Sequence, residues 1–89
     1  MISPSDKNLI ISLSKKYGLS RVLLFGSSAR ADSEARDIDL AVEGIKPAEF
    51  FAFYGELMLR ISKPVDLIDL AGTSRFHRMV AAEGVPIYG

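Results

Sequence analysis

Residues 22–42, VLLFGSSARADSEARDIDLAV, constrain the fold more than any other stretch of the chain. A continuous apolar run stops at Gly26-Ser27, and after nine intervening residues a second run carries Asp37 and Asp39 two positions apart. Side chains on a strand alternate between faces, so Asp37 and Asp39 share one face while Ile38, Leu40 and Val42 share the other. The pattern predicts a strand that is greasy on one side and doubly acidic on the other. Two carboxylates about 5 to 7 Å apart repel unless a cation lies between them.

The remaining segments supply the frame for that strand. Ser3 as N-cap, Pro4 in the first turn and Asp6 at the capping-box position introduce Leu9, Ile10, Leu13 and Tyr17 at helical spacing, which predicts a helix over 4–17 ended by Gly18. RVLLFG and RDIDLAVEG read as two strands. Pro47 opens a second helix in which Phe50, Phe51, Tyr54, Leu57, Met58 and Ile61 recur on one side, and Lys63-Pro64 breaks it. VDLIDL (65–70) is a third strand. Thr73 or Ser74 caps a third helix, with Phe76, Met79 and Val80 facing inward, and Gly84 ends it before a short tail, VPIYG. This order predicts an α+β fold: a small mixed β-sheet with helices packed on one face, leaving the other face for chemistry. Phe50, Phe51, Phe53 and Tyr54 cannot all point inward from one helix, which marks one or two of them as a contact surface.

Composition narrows the chemistry. Eighty-nine residues amount to one domain, spanning 1–89. The absence of cysteine removes disulfides and thiolate metal sites, and a single histidine disfavours a histidine-rich zinc site, so any metal must be held by carboxylates. Eleven basic residues balance eleven acidic ones, leaving no global field for nucleic acid or an anionic membrane. With neither a long apolar run nor a signal-like start, the cytoplasm is the default compartment.

Asp66 lies inside an apolar strand and joins Asp37 and Asp39 if that strand pairs beside theirs, whereas Asp69, three residues on, faces away. Each pair of such carboxylates costs roughly 4 kcal/mol at 4 Å and an effective dielectric near 20. Magnesium removes that cost. It prefers hard oxygen ligands, and two such ions suit an in-line displacement at phosphorus. Gly26 lets backbone approach an anion closely, Ser27 and successive N–H groups can donate to phosphate oxygens, and Arg30 can pair with the same phosphates. Phosphoryl or nucleotidyl transfer is the reaction these residues suit. Arg60, Lys63, Arg75 and Arg78 read as solvated helix surface, and His77 as a surface or structural residue.

Taken together, FGSSAR (25–30), DIDLAV (37–42), PVDLIDL (64–70) and the ending AAEGVPIYG resemble the minimal nucleotidyltransferases of the DNA polymerase beta superfamily. The resemblance implies that Gly26, Ser27 and Arg30 bind a nucleoside triphosphate, that Asp37, Asp39 and Asp66 hold magnesium, and that Asp66 helps to activate the acceptor. It further implies ATP as substrate, AMP transfer to a hydroxyl, and an antitoxin role beside a helical HEPN toxin. Two features depart from the family pattern: the stretch from Gly-Ser to the first Asp is nine residues rather than ten, with Ala31 where a glycine is usual, and Arg36 replaces a serine. These departures support an alternative, a catalytically weak or inactive module of the same fold that neutralises a partner by contact.

Overall fold

A computed structural model of the chain describes residues 2–30 and 36–89. The shortened stretch, including Ala31, therefore falls largely outside the described residues. The elements are α1 (Pro4–Lys16), β1 (Arg21–Phe25), a 3₁₀ turn at Gly26–Ala29, β2 (Ile38–Glu43), a 3₁₀ turn at Pro47–Glu49, α2 (Phe50–Arg60), β3 (Val65–Asp69), α3 (Arg75–Glu83) and β4 (Val85–Tyr88). The four strands form one mixed sheet in the order β3-β2-β1-β4. β1 runs antiparallel to β2 and to β4, and β2 runs parallel to β3. The α+β class follows the sequence reading. The tail read as VPIYG is instead an edge strand, where Pro86 is tolerated because an edge position need not donate every N–H.

Val22, Leu24, Ile38, Leu40, Val42 and Val65 form the greasy sheet face, against which α1 lays Leu9, Ile10 and Leu13 and α2 lays Phe53 and Leu57. Each such side chain contributes about 1.5–3 kcal/mol when fully buried. α1 starts as expected, with Ser3 Oγ accepting from Asp6 N at 3.2 Å. The Asp6 carboxylate does not close a capping box; it is buried and accepts from the backbone N–H and hydroxyl of Ser62, tying the start of α1 to the end of α2. Tyr54 Oη donates to Val65 O at 2.7 Å and fixes α2 over the crossover into β3.

Two helical faces differ from expectation. On α2 the inward residues are Phe53 and Leu57, while Phe51 and Met58 are exposed. α3 does not share the face of α1 and α2: its Val80 packs with Leu23 and Ala41, which point to the other side of the sheet, and Phe76 and Met79 remain about half exposed. No helix among the described residues is long and apolar enough to cross a membrane.

Candidate active site

β1, an interior strand, delivers the chain into a tight turn at its C-terminal end. Gly26 there has φ +61°, and a Cβ on it would stand 2.5 Å from Asp39 Oδ2. Only glycine meets both demands, the left-handed backbone and the close approach of a carboxylate. The 3₁₀ turn that follows leaves Gly26 and Ser27 exposed and buries Ser28. Ser28 Oγ donates to Phe25 O at 2.7 Å and accepts from Asp39 N at 3.1 Å. That hydroxyl clamps the turn to β2 at the residue carrying the central carboxylate. Sequence reasoning singled out Ser27 and missed this role of Ser28; burial of a serine within a short turn is its only signal, and burial is not legible in one sequence.

Parallel pairing of β2 with β3 sets Asp39 directly beside Asp66. Alternation then places both on the face that carries Ala41 and Ile68, away from the core under α1 and α2. Burial raises the Asp39 carboxyl above its usual range, and the Asp66 charge, a side-chain hydrogen bond to Asp66 and the Asp37 charge raise it further. Asp37 lies at the exposed bend before β2, near enough for its charge to be felt at Asp39 but outside the paired strand. Thus the expected carboxylate triad takes the form of an adjacent pair with a third acid at its margin. Among the described residues, no group of three His, Cys, Asp or Glu side chains is arranged to hold a metal. The pair nevertheless fits magnesium: its donors are hard oxygens, its charges are mutually destabilising, and Mg²⁺ is usually held by one or two carboxylates plus substrate phosphates.

Asp69, His77 and Arg78, set aside on sequence grounds, make local contacts. Asp69 points to the opposite face from Asp66, its Oδ1 accepting from Ala71 N at 2.9 Å as β3 ends. His77 Nδ1 lies 2.6 Å from Ser74 Oγ, the cap of α3, and Arg78 donates to Thr73 O at 2.7 Å. Beside the turn, Phe25, Gly26, Ala29 and Arg30 face Phe76, Met79 and Glu83 of α3 across a cleft of about 410 Å³. Phe25 and Phe76 meet edge to face there, ring centroids 5.8 Å apart. Gly84 lets the end of α3 press onto β1: a Cβ at that position would come within 2.9 Å of Leu23 Cβ.

Several solved proteins share this fold. One toxin–antitoxin complex with AMP-PNP matches at a TM-score of 0.74 and 27% identity, over 93% of this chain and 73% of that one. The MntA-HepT toxin–antitoxin matches at 0.72 and 25%, over 98% and 73%. A tri-AMPylated HEPN toxin from Shewanella oneidensis in complex with its MNT antitoxin matches at 0.71 and 26%, over 96% and 71%. No curated protein sequence matches the chain. The family described as polymerase beta, nucleotidyltransferase matches residues 7–89, so the chain belongs to the polymerase beta nucleotidyltransferase family.

Proposed function

We propose that the chain is a magnesium-dependent nucleotidyltransferase that moves AMP from ATP to a hydroxyl on a HEPN-type toxin, and so acts as its antitoxin. The single observation that carries this reading is the register of Asp39 beside Asp66, with Gly26 pressed against Asp39. In the reaction, the acceptor oxygen bonds to the α-phosphorus, the bond from that phosphorus to the bridging oxygen breaks, and pyrophosphate leaves in line. Asp66, the more exposed of the pair, takes the hydroxyl proton. Gly26 and Ser27 hold the triphosphate by close backbone approach and donation, and Arg30 pairs with its oxygens. Asp39, with Asp37 at the margin and Asp66, would hold Mg²⁺, which when bound screens the carboxylates and the charge developing on phosphate. The raised Asp39 carboxyl accords with a site arranged for a cation. A solved toxin–antitoxin complex with AMP-PNP and a tri-AMPylated HEPN toxin in complex with an MNT antitoxin support the choice of partner and nucleotide.

A second reading keeps the fold and the partner but not the transfer, and the Ala31 and Arg36 departures favour it. One assay separates the two. The protein is incubated with magnesium, α-labelled ATP and a candidate HEPN-type toxin. Label on the toxin that disappears with Asp39→Ala supports transfer, whereas neutralisation that persists in Asp39→Ala without any label refutes it.

A further inference from the structure

On the sheet face that carries the acids, Asp66, Asp39 and Phe25 stand in one row, since β3 sets Asp66 beside Asp39 and β1 sets Phe25 beside it on the other side. Directly paired residues share a face, and neighbouring strands lie about 4.8 Å apart. The row therefore passes from two carboxylates to an aromatic ring. The glycine turn stands at the junction, because Gly26 follows Phe25 in the chain and is packed against Asp39. Beyond Phe25, toward Val85 of β4, the row opens into the cleft of about 410 Å³ beside α3, a volume within the roughly 300–1,000 Å³ of small-molecule sites. Phe76 and Met79, one helical turn apart, wall it from α3 and are 45 and 47% exposed. Phe25 meets Phe76 edge to face. A second groove, of about 560 Å³ between α1 and β4, includes the core residue Leu24 and so opens on the opposite face from the acids.

We propose that the cleft takes the adenine base of the nucleotide, stacked on Phe76 with the Met79 thioether against it, while the ribose crosses Phe25 and the phosphates reach Gly26, Ser27 and the acids. The assignment rests on the nucleotidyl-transfer reading of the site and adds to it where the base is held. A nucleobase offers a flat, polarisable π-face, which stacks on aromatic side chains whatever its hydrogen-bonding edge. Methionine sulfur adds favourable contact with aromatic rings and adapts to an irregular wall. A purine covers more of this wall than a pyrimidine, so Phe76 and Met79 favour ATP over UTP. The row also orders the reactants. With the base on the β1 side, the acceptor hydroxyl enters from the β3 side, where Asp66 is exposed, and the two lie on opposite sides of the reacting phosphorus as an in-line displacement requires.

The test compares ATP with inorganic tripolyphosphate, which has the phosphates without the base, on the whole chain with magnesium and no acceptor. The sequence contains no tryptophan, so Phe76→Trp puts a single indole in the wall at a half-exposed position. ATP is expected to change its emission and tripolyphosphate to bind without doing so. By calorimetry, Phe76→Ala is expected to weaken ATP at least about five-fold and to leave tripolyphosphate unchanged, with Met79→Ala acting in the same direction. UTP is expected to bind the wild type more weakly than ATP, and the difference to shrink in Phe76→Ala. ATP binding that leaves the Phe76→Trp emission unmoved overturns the proposal, as does Phe76→Ala that weakens both ligands alike or neither. If tripolyphosphate binds while the base contributes nothing, the cleft assignment alone falls. If neither ligand binds the wild type, the phosphate-holding role of Gly26 and Ser27 falls with it.

Discussion

Replacing Asp39 with asparagine should stabilise the metal-free protein at neutral pH, although it removes a central carboxylate of the site. Asp39 lies beside Asp66 with its carboxyl raised by burial and by the neighbouring acids, so ionising it in the folded chain is unfavourable. At about 5 Å the Coulomb repulsion between two carboxylates is about 0.8 kcal/mol in bulk water and about 3 kcal/mol at an effective dielectric near 20. Asp66 is exposed, which favours the lower end, about 1 kcal/mol. For a domain of this size that amount moves the melting temperature up by about 4–8 °C. The sign with pH follows from linkage. Folding raises this carboxyl, so the folded state binds protons more tightly, and native stability gains as pH falls from the folded value toward the unfolded one. Calorimetric melts in EDTA at low salt, from pH 7 down to the ordinary aspartate value of 3.8, should show the wild type gaining on Asp39→Asn until the difference closes. Millimolar magnesium should raise the melting temperature of the wild type and leave that of Asp39→Asn almost unchanged. An Asp39→Asn protein that melts below the wild type at pH 7 in EDTA would refute the reasoning, because the pair would then be stabilising rather than strained.

Gly26→Ala meets both the positive φ and the Asp39 carboxylate, so urea unfolding should register a loss of about 1–3 kcal/mol, partly relieved by Asp39→Asn in the double variant. Ser28→Ala strands the Asp39 N–H and should cost about 1–3 kcal/mol by the same measurement, whereas Ser27→Ala, at an exposed hydroxyl, should alter stability by under about 0.5 kcal/mol. The Glu56 carboxyl is lowered, first by its hydrogen bond from Lys16 and then by that from Tyr17. It therefore contributes stability above its unfolded value that is lost as pH falls through the folded one, and acid melts of Glu56→Gln should lack that part of the decline.

The legible part of this chain is the part where a local pattern has one solution. Alternation on Ile38, Leu40 and Val42 dictated which way Asp39 would face, and Gly26 could be identified as the turn because the strand before it had no other exit. The partnership of Asp39 with Asp66 was legible only as a condition, since strand pairing is non-local. α2 misled because its run of apolar residues satisfies more than one helical phase; the contacts of Phe53 with α1 and the sheet select one, and Phe51 is left outside. Phe76 and Met79 were read as core because they recur at helical spacing with Val80, yet α3 touches the sheet chiefly through Val80 and uses the other two to wall a cleft. β4 escaped notice because a four-residue segment containing Pro86 has too few positions to establish a period.

The parallel pairing of β2 with β3 has a kinetic consequence. β1 and β2 can meet as a nearby antiparallel pair, but Asp66 reaches Asp39 only after the whole of α2 has crossed over the sheet and β3 has docked. Contacts that close such long loops are the slow part of folding, and a partly folded chain with only β1 and β2 in place would present the glycine turn and one carboxylate, never the pair. Any activity that needs both acids is thus confined to molecules in which β3 has docked beside β2. A nascent or damaged copy lacking β3 would present Gly26 and Asp39 without Asp66 beside them.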